Sequence, residues 1–260
     1  MTTAGRPDNP FAASEVGRLY QRGRPYHHLR TLARALALLE VTDVDCALDL
    51  ACGTGMSATA LRERARFVIA ADRSPEMLAV APRASGIAYV RSEAERLPFP
   101  DATFAGITVS SGVHWFDQDR FFAEAKRILR DDGWIALYDH YFIGEMVDVP
   151  EFTTWASLAL KRYPLPPRTL QVGDPRAGVP MDFEKVGDEF YGDDIEMTQT
   201  EFVDYQLTLS TCVVPVENGT PREEIRQWLT TSTADLFAGA PTRTVRFLGS
   251  VTCLRPSART

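Results

Sequence analysis

The stretch CALDLACGTG, residues 46–55, carries a short buried strand through Asp49 into a glycine turn, and the helix-forming SATALRER follows at once. A strand that ends this way makes a ligand site. Glycine lets a ligand approach the backbone with no Cβ in the way, and the first turn of the following helix offers unpaired N–H groups. Gly53-Thr54-Gly55-Met56-Ser57-Ala58 also fits a dinucleotide fingerprint with Ala in the last place, so the glycines alone do not choose the ligand. The carboxylate does. Asp49 lies four residues before Gly53, where a pyrophosphate would meet like charge and an ammonium group would gain a partner. A zwitterionic amino acid tail fits such a turn better than a dinucleotide.

Outward from the turn, the chain alternates helices and strands. His28 to Leu39 sets Leu29, Leu32, Leu36 and Leu39 on one helical stripe ahead of the first strand. FVIAA, residues 67–71, reads as the second strand and ends in Asp72; Ser74 and Pro75 then supply a cap and first-turn signal for a helix over PEMLAVAPRA. IAYV, residues 87–90, is the third strand, and FAGITVSS after the turn LPFPD is the fourth. Asp117 caps a helix that presents Phe121, Phe122, Ala125, Ile128 and Leu129 on one face, with Gly133 as its expected end and WIALY, residues 134–138, as the fifth strand. Strands alternating with helices in one block predict an α/β fold built on a doubly wound, mostly parallel sheet.

Beyond Phe142 the pattern loosens, and five prolines between Pro164 and Pro180 suggest an inserted cap. A helix is expected from near Thr200, and another where Thr220, Pro221 and Glu223 form a capping box; TVRFLGSVTCL reads as a last strand. The predicted organisation is one domain over 1–260: an N-terminal helical cover (1–40), a ligand-binding core (41–141), cap or substrate-facing insertions (142–183 and 200–237) and a final strand (243–255).

Composition narrows the function. The 260 residues are 45% hydrophobic and 24% charged, as in ordinary globular chains, and the net charge of -7 contains no basic run for nucleic acid to bind. The uncharged stretch from Asp101 to Asp117 is too polar and too short for a membrane span of about 18 apolar residues. MTTAGRPDNPFAAS lacks the apolar segment of a secretory signal, so a cytoplasmic location is expected. Cys46, Cys52, Cys212 and Cys253 form no CxxC pair, and no metal site is expected.

Asp72 stands seventeen residues after Gly55, about where an acid meets ribose hydroxyls in doubly wound nucleotide sites. With it, LDLACGTG, AADRSPEML and SEAERLPFPDATF resemble, in order and spacing, the first three motifs of the class I S-adenosylmethionine-dependent methyltransferases. SSGVHWFDQDRFFAEAKRILRDDGWIALYD is similar to the fourth and fifth strand region of their small-molecule branch, which includes trans-aconitate and quinone-pathway enzymes. YQRGRPYH, residues 20–27, resembles the N-terminal signature of that branch. The resemblance covers residues 16–141 closely and departs at Ala51, in place of a first glycine, and at Ala105, where many members carry Asp.

The resemblance implies a seven-stranded Rossmann-like sheet with S-adenosyl-L-methionine as methyl donor and S-adenosyl-L-homocysteine as product. It assigns Asp49, Ala51 and Gly53 to the methionine part, Asp72 to the ribose, and Met77, Glu93 and the Ala94 backbone to the adenine, with Gly55 and Arg73 also cofactor-binding and Glu95 facing solvent. Ser110 would lie under the methionine, Arg24 would meet its carboxylate, and Tyr20 and Tyr26 would close the cover. Ligands sit beyond the carboxyl ends of strands in open α/β sheets, so His114, His140 and Tyr141 are the candidates for handling an acceptor's proton, His114 first. Trp115 and Tyr141 are candidates to face the sulfonium. Phe142, Phe152, Trp155 and Tyr163 with Arg162, Arg168 and Arg176 suit an aromatic or carboxylate-bearing small molecule, or else form the cap's own core. Expected partners are that acceptor, in secondary or cofactor metabolism, and at most a second copy of the chain, with no nucleic acid and no membrane. The rival readings are a nicotinamide oxidoreductase, a protein that binds S-adenosylmethionine without transfer, and a sulfonium-assisted cyclase.

Overall fold

The computed structural model describes residues 14–165 and 179–257. Its elements are α1 (Ser14–Gly23), α2 (His28–Leu38), β1 (Val44–Leu50), α3 (Met56–Arg62), β2 (Ala65–Asp72), α4 (Pro75–Ala79), β3 (Ile87–Arg91) and β4 (Phe104–Ser110). A 3-10 turn at Val113–Trp115 precedes α5 (Gln118–Ile128) and β5 (Leu129–Met146). Then come α6 (Phe152–Arg162), β6 (Phe183–Met197), α7 (Gln199–Gln206), α8 (Ser210–Glu217), α9 (Arg222–Phe237) and β7 (Arg243–Pro256).

The seven strands lie in the order β3-β2-β1-β4-β5-β7-β6, so the winding reverses between β1 and β4. From β3 to β5 every pairing is parallel. Alternation along β5 shows how the sheet is buried on both faces: Ile135 and Leu137 join Leu48, Leu50, Ile107, Phe121, Phe122 and Ile128 in one core. Trp134, Ala136 and Tyr138 join Leu32, Ala35, Leu36, Ala58, Leu61 and Ala70 in the other. Helix α5 therefore covers one face and α2 with α3 the other, as period-2 strands require.

The chain divides into two compact units. Of the described residues, 26–143, 179–193 and 247–257 make the sheet unit, and 14–25, 144–165 and 194–246 make the other. In the second unit α1 packs on α7, and α7 and α6 on α9. Its core is aromatic. Phe152, Trp155, Phe202 and Phe237 pack in successive tilted or edge-on pairs with ring centroids within 6.0 Å, and the Trp155 indole donates to Ser232 at 2.9 Å.

Several expectations are corrected here. Helix α4 ends at Ala79 rather than continuing to residue 84, because Pro82 disfavours helix in the residue before it. Helix α5 ends at Ile128, not at Gly133, since Leu129 is already extended and Gly133 lies inside β5. The capping box belongs to α7, where Thr198 and Glu201 exchange side-chain and backbone bonds; α9 starts behind Pro221 with no side-chain cap. Helix α6 lies in the region read as an inserted cap, and β6 follows it where no strand was expected.

Candidate functional site

Two tight turns meet where the winding reverses. Strand β1 leaves through Ala51 and β4 through Ser111, and both residues hold φ of 52°, a region that non-glycine residues avoid. They are neighbours: a Cβ on Gly112 would stand 2.6 Å from the Ala51 Cβ. Such left-handed residues cost about 1 kcal/mol or more each and gather at ligand sites. Neither had a signal in the sequence beyond the alanine replacing a glycine.

Asp49 lies below this turn and is fully buried. Its two carboxyl oxygens accept from the Ser57 hydroxyl at 2.6 Å and the Thr108 hydroxyl at 2.7 Å, tying β1 to the start of α3 and to β4. Burial pushes its carboxyl up to about 7; the two hydroxyls oppose that shift and the neighbouring Asp72 adds to it. Asp49 has no exposed surface in this structure, so the expected direct contact with a ligand is not open to it here.

Asp72, at the end of β2, accepts from the Gly53 N–H and the Ser74 N–H, both at 2.8 Å. It is therefore the brace between the glycine turn and the cap of α4, where Ser74 accepts from Met77 N as expected. Each of its oxygens keeps a second lone pair for a hydroxyl donor. Burial raises its carboxyl above the usual range, against the pull of those N–H groups.

Gly53 and Gly55 both have positive φ, 53° and 79°. Under Gly53 lies the Met77 methyl, and a Cβ on Gly55 would meet the Tyr89 hydroxyl at 2.5 Å. Tyr89 was missed by the sequence reading; β3 brings it under the turn, and only its place in the parallel register reveals that. Arg73 gives its carbonyl to Arg91 at 3.3 Å. Ser110 reaches across to bond the Tyr138 side chain on β5.

After β4, Ser111 N donates to the Tyr138 carbonyl at 2.9 Å and the Ser111 hydroxyl to Asp139 at 2.5 Å. The 3-10 turn then carries His114 and Trp115, both half-buried, with ring centroids 5.0 Å apart. Its far end is fixed by Glu95, which accepts from Asp117 N at 2.8 Å. Glu95 is buried and Glu93 exposed, the reverse of expectation, because Glu95 is needed where α5 begins. Ala94 is buried as well.

His140 is also corrected. It is buried, its Nε2 donates to the Asp193 carboxylate at 2.9 Å, and it is sandwiched between the His27 ring at 4.2 Å and the Phe247 ring at 4.9 Å. A ring packed on both faces has no room for an acceptor. Tyr141 is 41% exposed and points to the opposite sheet face. Tyr26 is exposed, edge-on to His28. In the helical unit Arg24 donates to the Thr208 carbonyl at 3.3 Å and lies over the Tyr20 and Tyr205 rings. There Phe152, Trp155 and Tyr163 form the core, and Arg162 lies over Tyr163 and Trp228; Phe142 belongs to the sheet unit, beside Phe247. Arg168 and Arg176 lie outside the described residues. Among the described residues no group of three His, Cys, Asp or Glu side chains could hold a metal, and no helix is long and apolar enough to cross a membrane.

A family model for the methyltransferase domain matches residues 48–137, from within β1 into β5. That stretch of the chain is similar to a methyltransferase domain. The matched stretch contains Asp49, Gly53, Gly55, Asp72, Ser110 and His114, while Tyr20, Arg24 and His140 fall outside it. The chain is 38% identical over 100 residues to a demethylmenaquinone methyltransferase of Thermus thermophilus, covering 35% of this chain and 46% of that protein. It is 30% identical over 141 residues to the uncharacterized methyltransferase YcgJ of Bacillus subtilis, covering 52% and 55%. The chain thus spans about half the length of these methyltransferases. A solved candidate type II methyltransferase from Anaeromyxobacter dehalogenans has the same fold over 86% of this chain and 95% of its own, with a TM-score of 0.63 at 23% identity. The methyltransferase YcgJ structure superposes with a TM-score of 0.51 at 19% identity, over 89% of this chain and all of its own.

Proposed function

We propose that the protein transfers a methyl group from S-adenosylmethionine to a small-molecule acceptor by in-line displacement. The observation that carries the reading is the pair of buried carboxyls, Asp49 under the glycine turn and Asp72 bracing it, at the point where the sheet reverses its winding. Two neighbouring acids, of which Asp72 raises the titration of Asp49, favour a ligand that brings positive charge and hydroxyl donors, and disfavour a diphosphate. An aminoacyl ammonium and a ribose supply both. The bound donor would contribute an already activated methyl on sulfur, and the protein's task is then to hold and orient the acceptor and keep water out.

In this reading Asp72 receives the ribose hydroxyls, the Ala51–Gly55 turn follows the methionine part, and Met77, Glu93, Ala94 and Arg73 border the adenosine. His114 is the candidate for taking a proton from a hydroxyl or amine acceptor, as the half-buried imidazole on the turn after β4. A carboxylate or thiolate acceptor needs no base. The relatives named for demethylmenaquinone support a ring-bearing small molecule as the acceptor class.

Titration calorimetry with S-adenosylhomocysteine, beside NADH, tests the reading on the wild type, Asp49→Ala and Asp72→Ala. Micromolar binding of the first ligand, weakened at least tenfold in Asp72→Ala, is expected. Absence of that binding, or preference for NADH, refutes it. Formation of S-adenosylhomocysteine with an acceptor then separates transfer from binding alone.

A further inference from the structure

Arg127 and Glu124 stand about one helical turn apart on α5 and grip the segment between β3 and β4 by its backbone. The Arg127 guanidinium donates to the Leu97 carbonyl at 3.1 Å, the Phe99 carbonyl at 2.7 Å and the Asp101 carboxylate at 2.9 Å. Its remaining N–H groups meet the two oxygens of Glu124 at 2.9 and 2.8 Å. One of those oxygens also accepts the Leu97 N–H at 2.8 Å. Every guanidinium donor is thereby engaged, and Leu97 has both backbone groups bonded to side chains of one helix. Pro98 and Pro100 explain why side chains take this part: without N–H groups they offer no ladder to a neighbouring strand.

Leu97 closes a turn that is fixed from its other side as well. Ser92 N donates to the Asp72 carbonyl at 3.1 Å, the Ser92 hydroxyl to the Arg96 carbonyl at 3.1 Å, and Arg96 N to the Glu93 carbonyl at 3.3 Å. Glu95 accepts from Asp117 N. Residues 92–97 are therefore held by the end of β2, by the cap of α5 and by the Arg127–Glu124 pair further along that helix. In the methyltransferase reading the carboxyl of Asp72 receives the ribose, and Glu93 with Ala94 borders the base. A nucleoside joins sugar to base through one rotatable bond, so a site that reads both must keep a fixed distance between its two contacts. Contacts fixed in advance favour the right base because little has to be ordered on binding. Glu93 is exposed on the turn, where its carboxylate can accept from an exocyclic amino group and repels a ring oxo group.

We propose that Arg127 and Glu124 are positioning residues for base selection: by fixing Leu97 they hold the Glu93–Arg96 turn at the distance from Asp72 that an adenosine spans, and so let the protein choose adenine over a purine with an oxo group in place of the amino group. The inference rests on the methyltransferase reading. Both side chains act on the ligand through the backbone of Leu97.

Calorimetry of the full chain with S-adenosylhomocysteine and with S-inosylhomocysteine, its oxo analogue, reads that choice. The wild type is expected to bind the adenosyl ligand more tightly by about tenfold or more. Arg127→Lys keeps the charge but not the planar fork; it is expected to bring the two affinities within about threefold, by weakening the adenosyl ligand and leaving the inosyl ligand unchanged. Glu124→Ala should do the same, whereas Glu124→Gln, which keeps an acceptor for the Leu97 N–H, should retain most of the preference. These two variants carry the test if Arg127→Lys does not fold. Asp101→Ala removes one bond of Arg127 without touching Leu97 and should leave the preference intact. Amide exchange across residues 93–97 should quicken in Arg127→Lys. The inference is overturned by equal affinities in the wild type, by unchanged exchange, by loss of preference in Asp101→Ala, or by equal weakening of both ligands in Arg127→Lys and Glu124→Ala, which is what a purely structural clip would give. Absence of binding by either ligand refutes the methyltransferase reading, and the inference falls with it; binding with unaltered preference in the α5 variants overturns the positioning role alone.

Discussion

Asp49→Asn removes a titratable group while keeping its size and its ability to exchange hydrogen bonds with Ser57 and Thr108. Burial pushes the folded carboxyl up to about 7, from an ordinary value of 3.8. A group raised in this way contributes stability that is fully present below the unfolded value and lost as pH rises through the folded one. A gap of about three units, at about 1.4 kcal/mol each, amounts to about 4 kcal/mol withdrawn between about pH 4 and pH 7. The group is wholly buried, so solvent does little to screen it. The variant should therefore match the wild type near pH 4 and exceed its stability by up to about 4 kcal/mol near pH 8, read as a difference in urea midpoint with unchanged slope. S-adenosylhomocysteine should meanwhile bind the variant at least tenfold more weakly. Parallel stability curves across this range, or a variant less stable at high pH, would refute the assignment of Asp49 as a strained, proton-holding acid.

Ala51→Gly relieves a positive φ and should raise the thermal midpoint by the equivalent of about 1 kcal/mol, whereas Gly112→Ala, with its new Cβ 2.6 Å from that of Ala51, should lower stability by about 2 kcal/mol; equal midpoints for the pair would show the turns to be unstrained. Gly55→Ala combines φ of 79° with collision against the Tyr89 hydroxyl and should cost about 2 kcal/mol or more, partly recovered in Tyr89→Phe, which a denaturant double-mutant cycle would measure. Glu95→Ala strands the Asp117 N–H and should cost about 1–3 kcal/mol with faster exchange at the start of α5, while Glu93→Ala should leave stability unchanged. His28 is depressed from 6.5 to about 4, so its contribution is present above about pH 6.5 and lost as pH falls; His28→Gln should flatten about 3 kcal/mol of that acid slope.

The parallel half of the fold was legible because strands buried on both faces read as apolar runs: CALDL, FVIAA and FAGITV each lie in a strand, and Asp72 and Asp117 fall where strand end and helix cap were expected. β6 was not legible. As the strand at the sheet's edge it exposes Val186 and Phe190 while Glu189 and Asp193 take positions on its more buried face, so its burial alternates but its hydrophobicity does not. At the site, local motifs located the glycine turn and both acids, but not how they are used. That Asp49 faces two hydroxyls and that Glu95 rather than Glu93 is buried depend on Ser57, Thr108 and Asp117, partners set by packing between elements. The histidine stack joins residues 27, 28 and 140 across more than a hundred positions, a distance no local pattern spans.

The segment from Gly112 to Phe116 is tied down at Ser111 by β5 and at Asp117 by Glu95, with Trp115 N and Phe116 N bonded back within it at 3.0 and 3.1 Å. A span so short and pinned at both ends has few conformations left to lose, so little entropy separates its resting geometry from a working one. His114 and Trp115 are in that sense mounted on a bridge rather than a gate. Their alignment is set when the chain folds, and changes at Glu95 or Asp139, neither of which is on the bridge, should blur it.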